Sequence, residues 1–225
     1  MPLLKQEQDI WPLNLLDELD SEVENSETSE SVSVPSEGIR QTEQVVDASD
    51  LDAGASEIVF TPVETGPWWA LYTLARFEKK LMRQLVEIEV PFYGPTIARR
   101  YRSAQGRMRT SYEPLFPNYV FIMGDEMARY NAVATGSVSR WMPVADSLEL
   151  VTDLRQIRNL ILTQSPLSPE LRLQAGQKVR VRTGVFKGFE GVIIRRENEV
   201  RLLISVRYMG RGASVALDDC QLEAI

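Results

Sequence analysis

At Pro67 the character of the chain changes, and that break limits how it can fold more than any other feature. Ahead of it, residues 1–66 carry two basic residues, Lys5 and Arg40, against sixteen acidic ones; behind it, twenty-three basic residues stand against sixteen acidic ones. From Ser21 to Glu64 the sequence is dominated by Ser, Glu, Asp, Thr and Val, with no sustained period of 2 or 3.6. Such a stretch buries too little apolar surface to offset an ordering cost of about 1–2 kcal/mol per residue. Residues 1–66 are therefore expected to form a disordered acidic tail. One patch in it, Ile10, Trp11, Leu13, Leu15, Leu16 and Leu19 among Asp17, Glu18 and Asp20, reads either as a segment that docks into a partner's groove or as incidental hydrophobes. The basic body suits contact with a polyanion or an acidic protein surface.

Composition narrows the chemistry. The chain has no histidine and one cysteine, Cys220. Triads and dyads that use histidine, the commonest zinc ligand and an intrachain disulfide are thereby removed. No metal site and no cofactor are expected. The adjacent acidic pairs in the body, Asp125-Glu126 and Asp218-Asp219, fall in expected turns, and neither a P-loop nor a GxGxxG run is present, so an enzyme is not expected. The first residues lack the apolar core of a secretory signal, and no apolar run approaches the roughly 20 residues that span a bilayer. A cytoplasmic protein with no membrane contact is the expectation.

Beyond Pro67 the periodicities become regular. Trp68 to Leu74 is an aromatic, apolar run of strand length. Phe77, Leu81, Leu85 and Ile88 recur at helical spacing, with Lys79, Lys80 and Arg83 opposite, and Pro91 stops the helix. Thr96–Arg102 and Arg107–Thr110 flank a glycine-containing turn and predict a basic hairpin; Leu115 to Met123 predicts a further strand. A short helix at 127–134, a strand at 138–144 and a helix at 154–162 complete a β-α-β-β-α-β order. That order predicts an α+β, ferredoxin-like split βαβ domain over 67–162, a four-stranded sheet with helices on one face. Residues 163–170, rich in Pro and Ser, predict a linker; residues 171–225 show five short alternating runs and predict a small, closed or nearly closed all-β barrel.

Two stretches resemble a known family. The run from Glu113 to Ile122, EPLFPNYVFI, follows the Trp-Trp strand, the amphipathic helix and the basic hairpin, and the run from Gly176 to Val192 reads GQKVRVRTGVFKGFEGV. In this order they resemble the N-terminal (NGN) domain and the KOW domain of the NusG family of transcription elongation and antitermination factors. Asn118 after Phe116-Pro117 makes the first motif more similar to the specialised, RfaH-like branch, which antiterminates at selected operons; Asn also tolerates the positive φ of a tight turn.

The resemblance implies that the N-terminal domain grips the clamp helices of the largest subunit of RNA polymerase and suppresses pausing or termination. It places Phe116, Tyr119, Phe121, Trp141 and Lys80 at that contact. Aromatic anchors suit such a role, and alternation puts residues 119 and 121 on one strand face, 120 and 122 on the other. For the displaced non-template DNA strand the implied contacts are Arg99, Arg100, Arg102, Arg107 and Arg109, with Tyr101 among them for stacking, joined by Lys79 and Arg83. For the KOW domain, Phe186, Lys187 and Phe189 are the implied contacts to Rho or a small ribosomal subunit protein, with one phenylalanine expected in the core. The glycines at 184, 188 and 191 fit tight turns or close backbone approach. An RNA-binding structural protein of the ribosomal KOW kind is the alternative reading, weakened by the first motif.

Overall fold

The computed structural model describes residues 9–16, 66–173, 175–196, 199–217 and 221–225. The expected tail therefore lies outside the described residues, apart from 9–16 and Gly66. Residues 9–16 are not tail: they are folded onto the body, which corrects the expectation there.

Five strands build the first sheet: β1 (Ile10–Trp11), β2 (Trp68–Thr73), β3 (Phe92–Tyr93), β6 (Tyr119–Met123) and β7 (Val138–Pro143), in the order β1-β3-β6-β2-β7. All neighbours run antiparallel. Four of them, with α1 (Glu78–Glu87) and α2 (Glu126–Ala134), make the expected split βαβ arrangement. The fifth, β1, comes from the acidic segment. Between β3 and β6 the chain leaves the sheet as a separate two-stranded hairpin, β4 (Thr96–Arg102) and β5 (Met108–Pro114).

Strand alternation divides the sheet into two faces. Trp69, Leu71, Phe92, Val120 and Ile122 pack with Leu81, Met82 and Leu85 of α1 and Ala132 of α2. The opposite face carries Trp68, Tyr93 and Phe121, all buried, with Tyr72 and Tyr119 half-buried. A single turn joins the helix layer to the sheet. Asn118 adopts φ 68°, its N–H donates to the buried Glu78 carboxylate at 2.7 Å, and its side-chain amide donates to the Tyr72 hydroxyl at 3.3 Å. The positive φ that the sequence allowed at Asn118 is the one the structure uses.

α3 (Ser147–Leu162) begins seven residues ahead of the expected 154–162 helix. Asp146 caps it, accepting from the Glu149 N–H at 2.8 Å, an acidic cap followed three residues later by Glu. Asp125 caps α2 in the same way through Ala128, which gives that acidic residue a structural task.

The C-terminal part is a six-stranded antiparallel sheet: β8 (Leu167–Glu170), β9 (Lys178–Val181), β10 (Glu190–Arg196), β11 (Glu199–Val206), β12 (Arg211–Ala216) and β13 (Leu222–Ala224), in the order β13-β9-β10-β11-β12-β8. β8 corrects the expected linker, because Leu167–Glu170 pair with Gly212–Val215. Pro169 is tolerated there since β8 is an edge strand and needs no N–H on its open side. At Gly188 the backbone holds φ 89°, and a Cβ at Gly191 would run into the Leu203 carbonyl. α3 packs against β11 and against the 3₁₀ turn Arg207–Met209 that follows it.

Candidate interaction surfaces

The aromatic residues expected at one contact are distributed over both faces and the interior. Phe121 sits in the middle of β6, opposite Ala70 and Tyr93, and is 0% exposed; Phe116, ahead of the strand, is 2% exposed. Neither ring has a surface to offer a partner, so both are corrected from contact residues to core residues. Phe121 is buried because it lies on the central strand β6, where the sheet's second face is covered; Phe116 is buried in the turn that leads into that strand.

Tyr119 remains half-buried. Its ring meets Tyr72 edge to face at 5.3 Å between centroids, and the Arg211 guanidinium lies 4.9 Å above it. Arg211 belongs to β12, so the C-terminal part covers this end of the face. Tyr208 adds a hydrogen bond from its hydroxyl to the Pro143 carbonyl at 3.1 Å, and burial pushes the Tyr208 phenol upward. Arg207 closes the same seam against Asp153 and Glu149 of α3.

Trp141 is 40% exposed but lies on the other face. It pairs with Leu71 across β2, and its ring meets Trp69 edge to face at 5.6 Å. The half-buried Arg129 guanidinium of α2 stacks 4.1 Å from the exposed Trp141 ring in a cation–π contact. Exposed Met127 and Tyr130 occupy the same helix. The sequence expectation thus united residues that the sheet separates, and it missed Arg129. Its spacing to Trp141 carries no sequence signal, because the contact crosses from helix to strand. Lys80 is exposed on α1, its ammonium 4.8 Å from the Phe77 ring.

The hairpin arginines are all exposed. Register places Arg99, Tyr101 and Arg109 on one face, with Tyr101 directly opposite Arg109; Arg100 and Arg102 share the other. Arg107 lies at the turn, where its N–H donates to the Ser103 hydroxyl. Arg99 is paired with Glu113 at 3.0 Å. A cleft of about 740 Å³ opens beside the hairpin, lined by Arg99, Arg100 and Tyr112 on one side and by Ile161, Gln164 and Pro166 on the other. Lys79 and Arg83 are half-buried, and Arg83 turns back to its own helix, its Nε donating to the Lys79 carbonyl at 3.0 Å.

In the C-terminal sheet, the loop from β9 to β10 folds back on itself, with Gly188 N–H donating to the Val181 carbonyl at 2.8 Å. Phe186 is buried, which corrects it from contact to core; Phe189 is half-buried against it, with centroids 6.2 Å apart. Lys187 is exposed, and so is Val185 at the tip, which the sequence expectation did not single out.

No helix among the described residues is long and apolar enough to cross a membrane. The fold and these surfaces define a chain with a split βαβ layer, an arginine hairpin grown from it and an appended antiparallel β-sheet. Residues 66–170 match the family model described as transcription termination factor nusG. The chain is similar to the transcription termination/antitermination protein NusG of Lactococcus lactis, 27% identical over 178 residues, which is 70% of this chain and 92% of that protein. It is similar also to the NusG proteins of Pseudomonas aeruginosa (24% identical; 70% of this chain, 98% of that one) and Neisseria meningitidis (27%; 70% and 97%). Among solved structures it is similar to one titled "Domain interaction in Thermotoga maritima NusG", at 23% identity and a TM-score of 0.38, covering 71% of this chain and 97% of that one. Over residues 66–170, a little under half of its length, this chain is similar to the NusG family.

Proposed function

We propose that this protein is a transcription elongation and antitermination factor of the specialised, RfaH-like kind, acting in the cytoplasm on RNA polymerase without catalysis of its own. The observation that carries the reading is the NusG match over residues 66–170, the segment that contains the split βαβ layer and the arginine hairpin. The relatives' shared name supports a role in termination or antitermination.

In this reading two surfaces serve the polymerase. Exposed Trp141, with the half-buried Arg129 stacked on it and Lys80 on the adjoining helix layer, is accessible as it stands. The Tyr119 ring, directed at the clamp helices, becomes fully available only when Arg211 and the 207–209 turn move away. Phe116 and Phe121 support this face from within. The hairpin, through Arg100, Arg102, Arg107 and Arg109 around Tyr101, contacts the displaced non-template DNA strand by phosphate pairing and stacking. Lys187, Phe189 and Val185 form the tip of a KOW domain that recruits Rho or a small ribosomal subunit protein.

The test is co-purification of the full chain with RNA polymerase and a single-round pausing assay. Tyr119→Ala combined with Trp141→Ala should lower polymerase retention at least tenfold and restore pausing. Wild-type retention by that double variant would end the attachment reading.

A further inference from the structure

Residues 9–16 dock on the body at a distance in sequence, and three kinds of contact hold them. β1 adds to the open edge of β3, pairing Ile10 with Tyr93 and Trp11 with Phe92, while the Gly94 N–H donates to the Asp9 carbonyl at 2.8 Å. Ile10, Leu15 and Leu16 are buried. Two arginines of α3 take backbone carbonyls: Arg155 donates to Leu16 at 2.8 Å and Arg158 to Leu13 at 3.1 Å.

A further contact, from the Asp9 side chain, falls at the hairpin's root. Asp9 is 6% exposed, and its Oδ2 accepts from both the Thr96 N–H at 2.9 Å and the Thr96 hydroxyl at 2.6 Å. Thr96 is the first residue of β4 and stands opposite Pro114, the last of β5. Pro114 has no N–H to give, and the Thr96 N–H is committed to Asp9. The last rung of the hairpin is thus fastened by a carboxylate from the N-terminal segment, beside the Leu115 N–H to Pro95 carbonyl bond at 2.7 Å. Hydrogen bonds to a buried carboxylate are stronger than neutral ones and cost more to lose.

We propose that Asp9 is a positioning residue for the arginine hairpin: the docked N-terminal segment fixes the angle at which the hairpin leaves the sheet. When the segment is docked, Thr96 is held and the five arginines project in one geometry. When it leaves, Thr96 loses both bonds and the hairpin swings on Pro95 and Leu115. The N-terminal segment is then a control element for whatever the hairpin grips. Its consequence for DNA rests on the reading of the hairpin given above; the positioning itself does not.

Among the described residues, three groups face the Asp9 carboxyl. Thr96 donates to it from β4, the Tyr93 hydroxyl stands near it from β3, and Arg158 acts on it from α3. Burial raises the carboxyl to about 6, more than its hydrogen bonds lower it. This gives a signature that a merely space-filling residue would not produce.

The experiment uses the full chain and backbone amide NMR with hydrogen exchange. In the wild type the Thr96 amide shift should titrate with a midpoint near pH 6, and the titration should vanish in Asp9→Asn, whose side-chain oxygen still accepts both bonds. Asp9→Ala should speed exchange of the Thr96, Ile97 and Ala98 amides about tenfold or more, with Leu71 and Val120 unchanged, and Asp9→Asn should restore protection. Single-stranded DNA affinity should follow the same order, weakened several-fold in Asp9→Ala and restored in Asp9→Asn. Unaltered exchange at residues 96–98 in Asp9→Ala, or a Thr96 amide that does not titrate, overturns the proposal. If instead exchange responds as described while Arg100→Ala with Arg102→Ala leaves DNA affinity unchanged, the positioning stands and the DNA reading falls.

Discussion

Arg207 and Asp153 are joined by four hydrogen bonds across the seam between the C-terminal sheet and α3. The Arg207 backbone N–H donates to Asp153 Oδ2 at 2.8 Å, Nη2 to Oδ1 at 2.9 Å, and Nε lies 3.2 Å from both oxygens. Nη1 pairs with Glu149 at 2.7 Å. Asp153 is buried and Arg207 is not, so the carboxylate depends on this partner more than the guanidinium does. The same pairing raises Arg207 above its ordinary value, first through the Asp153 hydrogen bonds.

Arg207→Ala strips the buried carboxylate of its charged partner and leaves one backbone donor. We expect a loss on the order of 2–3 kcal/mol in urea unfolding. Because the same seam carries Arg211 over Tyr119, amide exchange in β6 near Tyr119 should quicken, and polymerase capture should rise. Unchanged stability together with unchanged exchange would show that this pair does not hold the seam.

The docking of residues 9–16 should depend on pH in a direction fixed by Asp9. Its docked carboxyl sits at about 6, above the ordinary 3.8, so the docked state binds the proton more tightly. The contribution is complete below about pH 4 and is lost as pH rises through about 6. Docking should therefore tighten on acidification, by up to roughly 3 kcal/mol between pH 8 and pH 4. Protection of the Ile10 and Trp11 amides, corrected for intrinsic exchange, measures it; Asp9→Asn should flatten the curve. Protection that rose with pH would contradict the sign.

Phe121 and Tyr119, two residues apart on one strand face, should respond differently to truncation. Phe121→Ala empties a fully buried site and should cost about 3–5 kcal/mol in denaturant unfolding. Tyr119→Ala removes a half-buried ring and should cost nearer 1 kcal/mol while doing more damage to polymerase capture. Equal stability losses would mean that Tyr119 is as much a core residue as its neighbour.

Asn118 holds φ 68° and bonds both Glu78 and Tyr72. Asn118→Gly keeps the backbone freedom and the N–H to Glu78, so a thermal melt should show a loss of about 1 kcal/mol or less. Asn118→Val forces a β-branched residue into the left-handed region, where about 2 kcal/mol or more should be lost. Similar melting of the two variants would rule out backbone strain as the constraint at this turn.

Much of the architecture was legible because it is local. The spacing of Phe77, Leu81 and Leu85 set α1, the hairpin followed from its turn glycine, and the run at 178–195 announced short strands. The start of α3 departs from the sequence expectation because Asp146 lies outside the apolar period, although Asp146 with Glu149 is itself a cap signal. β8 was missed because Pro169 argues for a linker until an edge position excuses it. The candidate site was legible as a set of residue types and much less as a surface. Phe116, Phe121 and Phe186 carry no mark in the sequence that separates a core ring from a contact ring.

By itself the sequence determined the main helices and strands beyond Pro67, the resemblance to the NusG family, the concentration of arginines in one hairpin and the pairing of residues 119 and 121 on one strand face. Those properties depend on periodicity and on neighbours within a few positions. Only the tertiary structure decided which face of the sheet is covered, that Trp141 stands with Arg129 rather than with Tyr119, and that Asp9 reaches Thr96. Burial and partner choice are set by groups tens of residues away along the chain, and alternation along one strand contains no information about what will lie against it.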